Sequence, residues 1–187
     1  MNNPTQAQLN PTHSLGIAVV IPCHNVRRHI LGVVSAIGAE VDRIFIVDDC
    51  CPESSGQFVT ENCNDARVRV IHNRTNQGVG GAVMEGYRAA LAEGYEVIVK
   101  VDGDGQMDPA LIPDFVNPIL ENAADYTKGN RFHDLGVMRE MPKLRLFGNA
   151  CLSLMNKISS GYWNIFDPTN GYTAIHAREP LNKSRVL

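Results

Sequence analysis

Short apolar runs recur along this chain at intervals, and that rhythm constrains its fold more than any other feature. The runs are Ile17 to Ile21, Arg43 to Val47, Val68 to Ile71, Glu96 to Val101 and, more weakly, Ala124 to Lys128. Runs of this kind read as buried strands. Between them lie stretches with helical spacing, the clearest of which puts Val83, Tyr87, Ala90 and Leu91 on one face before Gly94 stops it. Strands alternating with helices predict an α/β domain: a mostly parallel sheet, helices on both faces, right-handed crossovers between strands. After Asn130 the strand rhythm stops. A later helix is expected from about Pro142 to Ile158, with Leu144, Phe147, Cys151, Leu154, Met155 and Ile158 sharing a core-facing stripe.

With 187 residues, 44% of them apolar and 20% charged, the chain has the size and composition of one globular domain. The first fifteen residues are polar and carry Pro4 and Pro11, so residues 1–15 are expected to form a flexible tail and 16–187 the domain. A net charge of −3 supplies no field for gripping DNA or RNA, and nucleic acid is excluded as an expected partner. No apolar run approaches the ~20 residues that cross a bilayer. The five cysteines are odd in number, lack metal-ligand spacing and follow no secretory signal, so reduced thiols and a cytoplasmic location are expected.

In an open parallel sheet, ligands bind outside the carboxyl ends of the strands. Each of the five expected strands runs into polar or glycine-rich residues there: Pro22-Cys23-His24-Asn25, then Asp48-Asp49, Asn76-Gln77-Gly78-Val79-Gly80-Gly81, Asp102-Gly103-Asp104-Gly105-Gln106 and Gly129-Asn130-Arg131. Asp102, Asp104 and Gln106 place two carboxylates and an amide at alternate positions, a hard oxygen set suited to Mg²⁺ or Mn²⁺; the same residues also suit a plain Asp- and Gly-rich turn. Either Asp48 or Asp49 offers an acceptor to a ribose or a base edge, or caps a helix. Gly78 and Gly80 open a helix and let backbone N–H groups approach a phosphate, or simply allow close packing. Arg131 is a candidate phosphate brace, or the partner in a surface ion pair. The dinucleotide fingerprint is incomplete, since Val83 stands where its third glycine belongs, and no P-loop occurs.

Taken together, Val20-Ile21-Pro22-x-x-Asn25, Ile46-Val47-Asp48-Asp49, Asn76-x-Gly78-x-Gly80, Asp102-x-Asp104-x-Gln106-x-Asp108-Pro109 and Gly129-Asn130-Arg131 resemble family 2 glycosyltransferases of the GT-A fold. The likeness is to dolichyl- and polyprenyl-phosphate mannosyltransferases and covers about Gly16 to Ala177. It implies a nucleotide site at Pro22, Asn25, Asp48, Asp49, Gly78, Gly80, Asp102 and Gly103, and a metal triad of Asp102, Asp104 and Gln106. By the same resemblance Asp104 and Arg131 are catalytic. Asp167, in Asp167-x-x-x-Gly171-Tyr172, matches a motif near the acceptor and is the candidate general base. The sequence departs from the family at Val26, where glutamate commonly follows the asparagine. Family domains also run several tens of residues past the Asp-x-x-x-Gly motif, so a catalytic domain truncated at its C-terminal end is expected.

The implied reaction is inverting transfer of a sugar from a GDP- or UDP-linked donor, with Mg²⁺ or Mn²⁺ as cofactor. The acceptor implied is a polyprenyl phosphate, which places the protein at the cytoplasmic face of a membrane, or a growing glycan; a homo-oligomer is left open. Two alternatives stand beside it. One is a nucleotidyltransferase, which normally shows an early basic, glycine-rich phosphate loop that Pro22 to Asn25 lacks. The other is a catalytically inactive nucleotide-binding module.

Overall fold

The computed structural model describes residues 15–130 and 170–177, together with 148, 151–155, 158, 159 and 161. Its six-stranded sheet has the order β3-β2-β1-β4-β6-β5. The strands are β1 (Ile17–Cys23), β2 (Arg43–Asp48), β3 (Val68–His72), β4 (Val97–Lys100), β5 (Tyr126–Lys128) and β6 (Thr173–His176). The helices are α1 (Ile30–Ala36), α2 (Ser55–Asn62), α3 (Gly78–Ala92) and α4 (Ile112–Leu120), the last entered through a short 3-10 turn at Pro109–Leu111. β1 pairs in parallel with β2 and β4, and β2 with β3, so the expected doubly covered sheet is present.

Alternation along the strands divides the core into two layers. Ile17, Val19, Ile21, Ile44, Ile46, Val97 and Val99 pack with α1, α2 and α4 on one face. Ala18, Val20, Phe45, Val47 and Ile98 meet Ala82 and Ala90 of α3 on the other. α3 seats itself differently from the sequence expectation. Its buried line is Ala82, Gly86 and Ala90, whereas Leu91 is exposed. The reason is close approach: a Cβ on Gly86 would press into Val20 and Val47, so the helix turns its smallest residues to the sheet and its larger ones aside. Gly94, at φ 84°, ends the helix as expected.

Two expectations fail. Strand structure does not stop at Asn130, because β6 inserts between β4 and β5 and runs antiparallel to both. Since β6 points the opposite way, its first residue lies at the same sheet edge as the carboxyl ends of the other five. The stripe expected over 142–158 lies partly outside the described residues; residues 148, 151–155, 158 and 159 are helical. There Cys151, Leu154, Met155 and Ile158 are exposed and Ser153 is buried, so these members of the stripe do not enter the core. No described helix is long and apolar enough to cross a membrane.

Candidate functional site

A cleft of about 340 Å³ opens at the carboxyl edge of the sheet. Its wall takes Pro22, Cys23, His24 and Val26 from β1 and the loop after it, and Asp49 from the end of β2. Asn76, Gly78, Val79 and Ala82 come from the entry and first turn of α3, and Asp102, Gly103 and Asp104 from the loop after β4. Six of the expected site residues therefore converge on one surface: Pro22, Asp49, Gly78, Asp102, Gly103 and Asp104. Asn25, Asp48, Gly80 and Gln106 are not part of that wall. Arg131 and Asp167 lie outside the described residues.

The two adjacent aspartates after β2 have diverged in task. Asp48 sits beneath the site with both oxygens taken: Oδ1 accepts from Cys51 N and Oδ2 from Gly56 N, each at 2.7 Å. It ties the β2 end to the Cys51 turn and to the start of α2. Asp49 faces the cleft and reaches the other way, Oδ1 accepting from Asn73 Nδ2 at 2.8 Å and from Gln77 N at 2.9 Å. It pins the loop that launches α3. Its second oxygen, 3.1 Å from the same Gln77 N–H, retains acceptor capacity toward the cleft.

The glycines at the α3 entry are not equivalent either. Gly78 has φ 73° and its N–H donates to Asn76 Oδ1 at 2.9 Å, whereas a Cβ on Gly80 would meet nothing within 4 Å. Gly78→Ala is expected to lower stability by about 1 kcal/mol through left-handed strain. Gly80→Ala is expected to raise it by up to about 1 kcal/mol through helix propensity. Thermal unfolding of the two variants checks the contrast, and equal shifts would remove the conformational role of Gly78.

In the β4 loop, Asp104 Oδ1 accepts from Gln106 N at 3.0 Å and Met107 Sδ accepts from Asp102 N at 3.3 Å. Asp108 caps the 3-10 turn by accepting from Ala110 N at 2.9 Å. Gly103 is buried against Ile21, Val26 and Ile30, which anchors the loop between half-buried Asp102 and exposed Asp104. Gln106 lines a second, separate cavity with Arg28, His29 and Asp108. Among the described residues no three His, Cys, Asp or Glu side chains form a metal-holding group. The loop after β4 nonetheless brings two neighbouring carboxylates, Asp102 and Asp104, to the cleft, which fits Mg²⁺ or Mn²⁺: such ions accept few protein ligands when phosphate oxygens and water fill the remaining positions.

One contributor, Lys100, escaped the sequence reading, while Asn170 and Tyr172 were read only as part of a motif near the acceptor. Lys100, at the end of β4, is buried, and its Nζ lies 2.5 Å from Asp102 Oδ1. Asn170 and Tyr172 lead into β6 beside the same loop. Tyr172 stacks on Phe115 at 4.1 Å and donates its hydroxyl to the Asp108 carbonyl at 3.0 Å. Burial, then the nearby Asp108 charge, pushes that phenol well above its ordinary range, so it stays a donor.

The thiols at the site also differ. Burial first, then the charges of Asp48 and Cys51, pushes Cys23 up to about 12, and it serves as a neutral wall of the cleft. Burial also opposes ionisation of Cys51, but hydrogen bonds from Ser55 and the Asn25 backbone outweigh it and bring its pKa below the ordinary thiol value. Cys51 Sγ accepts from Asn25 N at 3.1 Å. Asn25, off the cleft wall, is thereby linked to the β2 turn.

Comparison with known proteins follows the same outline. The family model described as glycosyl transferase family 2 matches residues 18–179. An undecaprenyl-phosphate mannosyltransferase of Micrococcus luteus is 34% identical over 135 residues, covering 72% of this chain and 54% of that protein. A UDP-N-acetylglucosamine–dolichyl-phosphate N-acetylglucosaminyltransferase of Methanococcus voltae is 29% identical over 172 residues, covering 84% and 68% respectively. Glucosyl-3-phosphoglycerate synthase of Mycobacterium tuberculosis, solved with Mn²⁺, UDP and glucosyl-3-phosphoglycerate, superposes with a TM-score of 0.64 at 17% identity. That likeness of fold covers 87% of this chain and 57% of that one. The chain spans roughly half to two thirds of the length of these proteins.

Proposed function

Since the chain belongs to glycosyl transferase family 2, we propose that it carries the donor-binding site of an enzyme that moves a sugar from a nucleoside-diphosphate sugar to a polyprenyl phosphate, with inversion. The observation that carries this reading is the convergence of Asp49, Asp102 and Asp104 with the first turn of α3 on one cleft. Carboxylates for a metal and backbone N–H groups for a phosphate are the two things a sugar diphosphate requires, and residues able to offer each line this cleft.

Each wall then has a task. Pro22, Val26, Val79 and Ala82 offer apolar surface to the base; Val79 is 63% exposed at the helix start, a position where covering by a flat ring would remove apolar area from water. Asp49 accepts from the base edge or the ribose with its remaining capacity, while Asp48 and Asn25 hold the loops that shape the pocket rather than touching the nucleotide. With the Gly78 N–H held by Asn76, it is the rest of the first turn of α3 that presents helix N–H groups to the diphosphate. Asp102 and Asp104 would hold Mg²⁺ or Mn²⁺, which when bound neutralises the charge that collects on the departing nucleoside diphosphate. Asp104 orients the diphosphate from the exposed side of the loop, and Arg131 braces it or the acceptor phosphate. A lipid phosphate acceptor is anionic near neutral pH and attacks without a strong base; an acceptor hydroxyl would need Asp167 to take its proton.

The lipid acceptor is supported by the names of two relatives, an undecaprenyl-phosphate and a dolichyl-phosphate enzyme. It would bring the protein to a membrane surface. The test is calorimetric titration of the chain with UDP, GDP and CDP, each with Mn²⁺ and with EDTA, followed by transfer assays with undecaprenyl phosphate. We expect one nucleotide to bind, only with the metal. Failure of all three, or binding indifferent to EDTA, would sink the proposal; binding without transfer would mark a binding module instead.

A further inference from the structure

Lys100 is an unusual residue to find where it is. In β4 the side chains of Val97 and Val99 face α1, α2 and α4, and that of Ile98 faces α3, so the Lys100 side chain leaves the strand on the α3 face. Its backbone lies between Val20 of β1 and Thr173 of β6, in the middle of the sheet, and only 8% of the residue is exposed. A lysine ending an apolar strand ordinarily extends its ammonium into water. Here the ammonium turns to Asp102 Oδ1 at 2.5 Å. The turn before β6 closes over the pair. A Cβ on Gly171 would fall on Lys100 Nζ and lie 3.0 Å from Asp102 Oδ2, so a side chain there would have to push the ammonium aside. On the far side of the same turn, Lys128 Nζ donates to the Asn170 carbonyl at 2.6 Å.

The consequence is electrostatic. Of the three carboxylates on the cleft wall, Asp49 is engaged by Asn73 and Gln77, and Asp102 by a buried cation. Among the described residues, Asp104 is engaged only by the Gln106 N–H. An incoming divalent ion therefore finds one of its two carboxylates already neutralised, with a fixed positive charge behind it. Hard cations hold tightly to sites rich in carboxylate charge and loosely to sites with little. A nucleoside diphosphate entering the cleft supplies the negative charge that Lys100 has cancelled.

We propose that Lys100 is a positioning residue that makes metal entry conditional on the nucleotide: it holds Asp102 against the Gly171 turn and offsets its charge, so the divalent ion arrives with the donor's diphosphate and not before it. This rests on the reading of Asp102 and Asp104 as the metal-holding pair. Lys100 stays out of contact with the reacting sugar; it acts through Asp102.

The test reads metal binding directly, by the electron paramagnetic resonance signal of free Mn²⁺. For the unaltered chain, Mn²⁺ alone is expected to bind weakly, and about 10-fold or more tightly once UDP or GDP, whichever binds in calorimetry, is saturating. In Lys100→Met, Mn²⁺ alone is expected to bind about 10-fold more tightly than in the unaltered chain, with the nucleotide's enhancement reduced to match. Lys100→Arg, which keeps the charge, is expected to restore conditional binding. Two results would overturn the proposal: Mn²⁺ binding to the unaltered chain as tightly without nucleotide as with it, which requires no variant to fold, or a folded Lys100→Met chain no tighter for Mn²⁺ than its parent. An Asp104→Ala arm separates the two levels. If it abolishes metal-dependent nucleotide binding while Lys100→Met changes nothing, the donor site stands and Lys100 loses its role; if it has no effect, both fall together.

Discussion

Asp104→Ala is expected to weaken Mn²⁺-dependent nucleotide binding at least 100-fold, about 2.7 kcal/mol, while leaving the fold nearly as stable as before. Asp104 is exposed, lines the cleft and makes one local hydrogen bond, to Gln106 N. Deleting its side chain therefore releases one exposed loop contact, about 0.5–1 kcal/mol. The metal loses the carboxylate that no lysine offsets. Asp108→Ala is the matched control from the same loop: it removes the cap on Ala110 N, at about 1 kcal/mol of stability, and should leave nucleotide affinity within a factor of about three. Calorimetry and thermal unfolding of both variants read the contrast. Equal nucleotide affinity in Asp104→Ala and its parent would remove Asp104 from the site.

The second large effect falls on stability. Asp48→Ala is expected to destabilise the domain by about 3–4 kcal/mol, because two backbone N–H groups in buried surroundings, those of Cys51 and Gly56, lose a charged acceptor at once. Asp48 is 5% exposed, and a Cβ on Gly56 would collide with its carboxylate, so the two elements are already in close contact. Asp48→Asn should recover about half of the loss, since its amide oxygen can serve one N–H while its NH₂ faces the other. Urea unfolding gives the values; a loss below about 1 kcal/mol for Asp48→Ala would show that water takes over both donors.

Much of this architecture was readable from residue order alone, and the reason differs between elements. Strands β1, β2 and β4 announce themselves because burial on both faces demands continuous apolar runs, and the residues that end them are where a parallel sheet must place its polar chemistry. Hence Pro22, Asp49, Gly78, Asp102, Gly103 and Asp104 could be named in advance and meet on one cleft. β6 could not be: its Thr-Ala-Ile-His is short, half polar, and separated in sequence from the strands it joins. Asp48 and Asp49 are indistinguishable in sequence, since a single residue decides which side chain points down into the α2 turn and which toward the cleft. Lys100 passed without remark inside the Glu96 to Val101 run, because nothing local reveals that β6 will cover it. The α3 face was misjudged by weighting large apolar residues, where close approach to the sheet selects alanine and glycine instead. Arg131 and Asp167 rest on resemblance.

The placement of β6 also governs the order in which the molecule can be completed. As the chain leaves the ribosome, β1 to β4 can assemble into a parallel unit, and β5 with α4 follows, but no strand yet bridges β4 to β5. Until Thr173–His176 emerges, both of those edges carry unpaired backbone groups, an invitation to pair with another chain. The last described strand to be synthesised is therefore the one that latches β5 onto the rest of the sheet. Pairings so distant in sequence tend to close slowly, and until they do the β4 edge stays open to another chain.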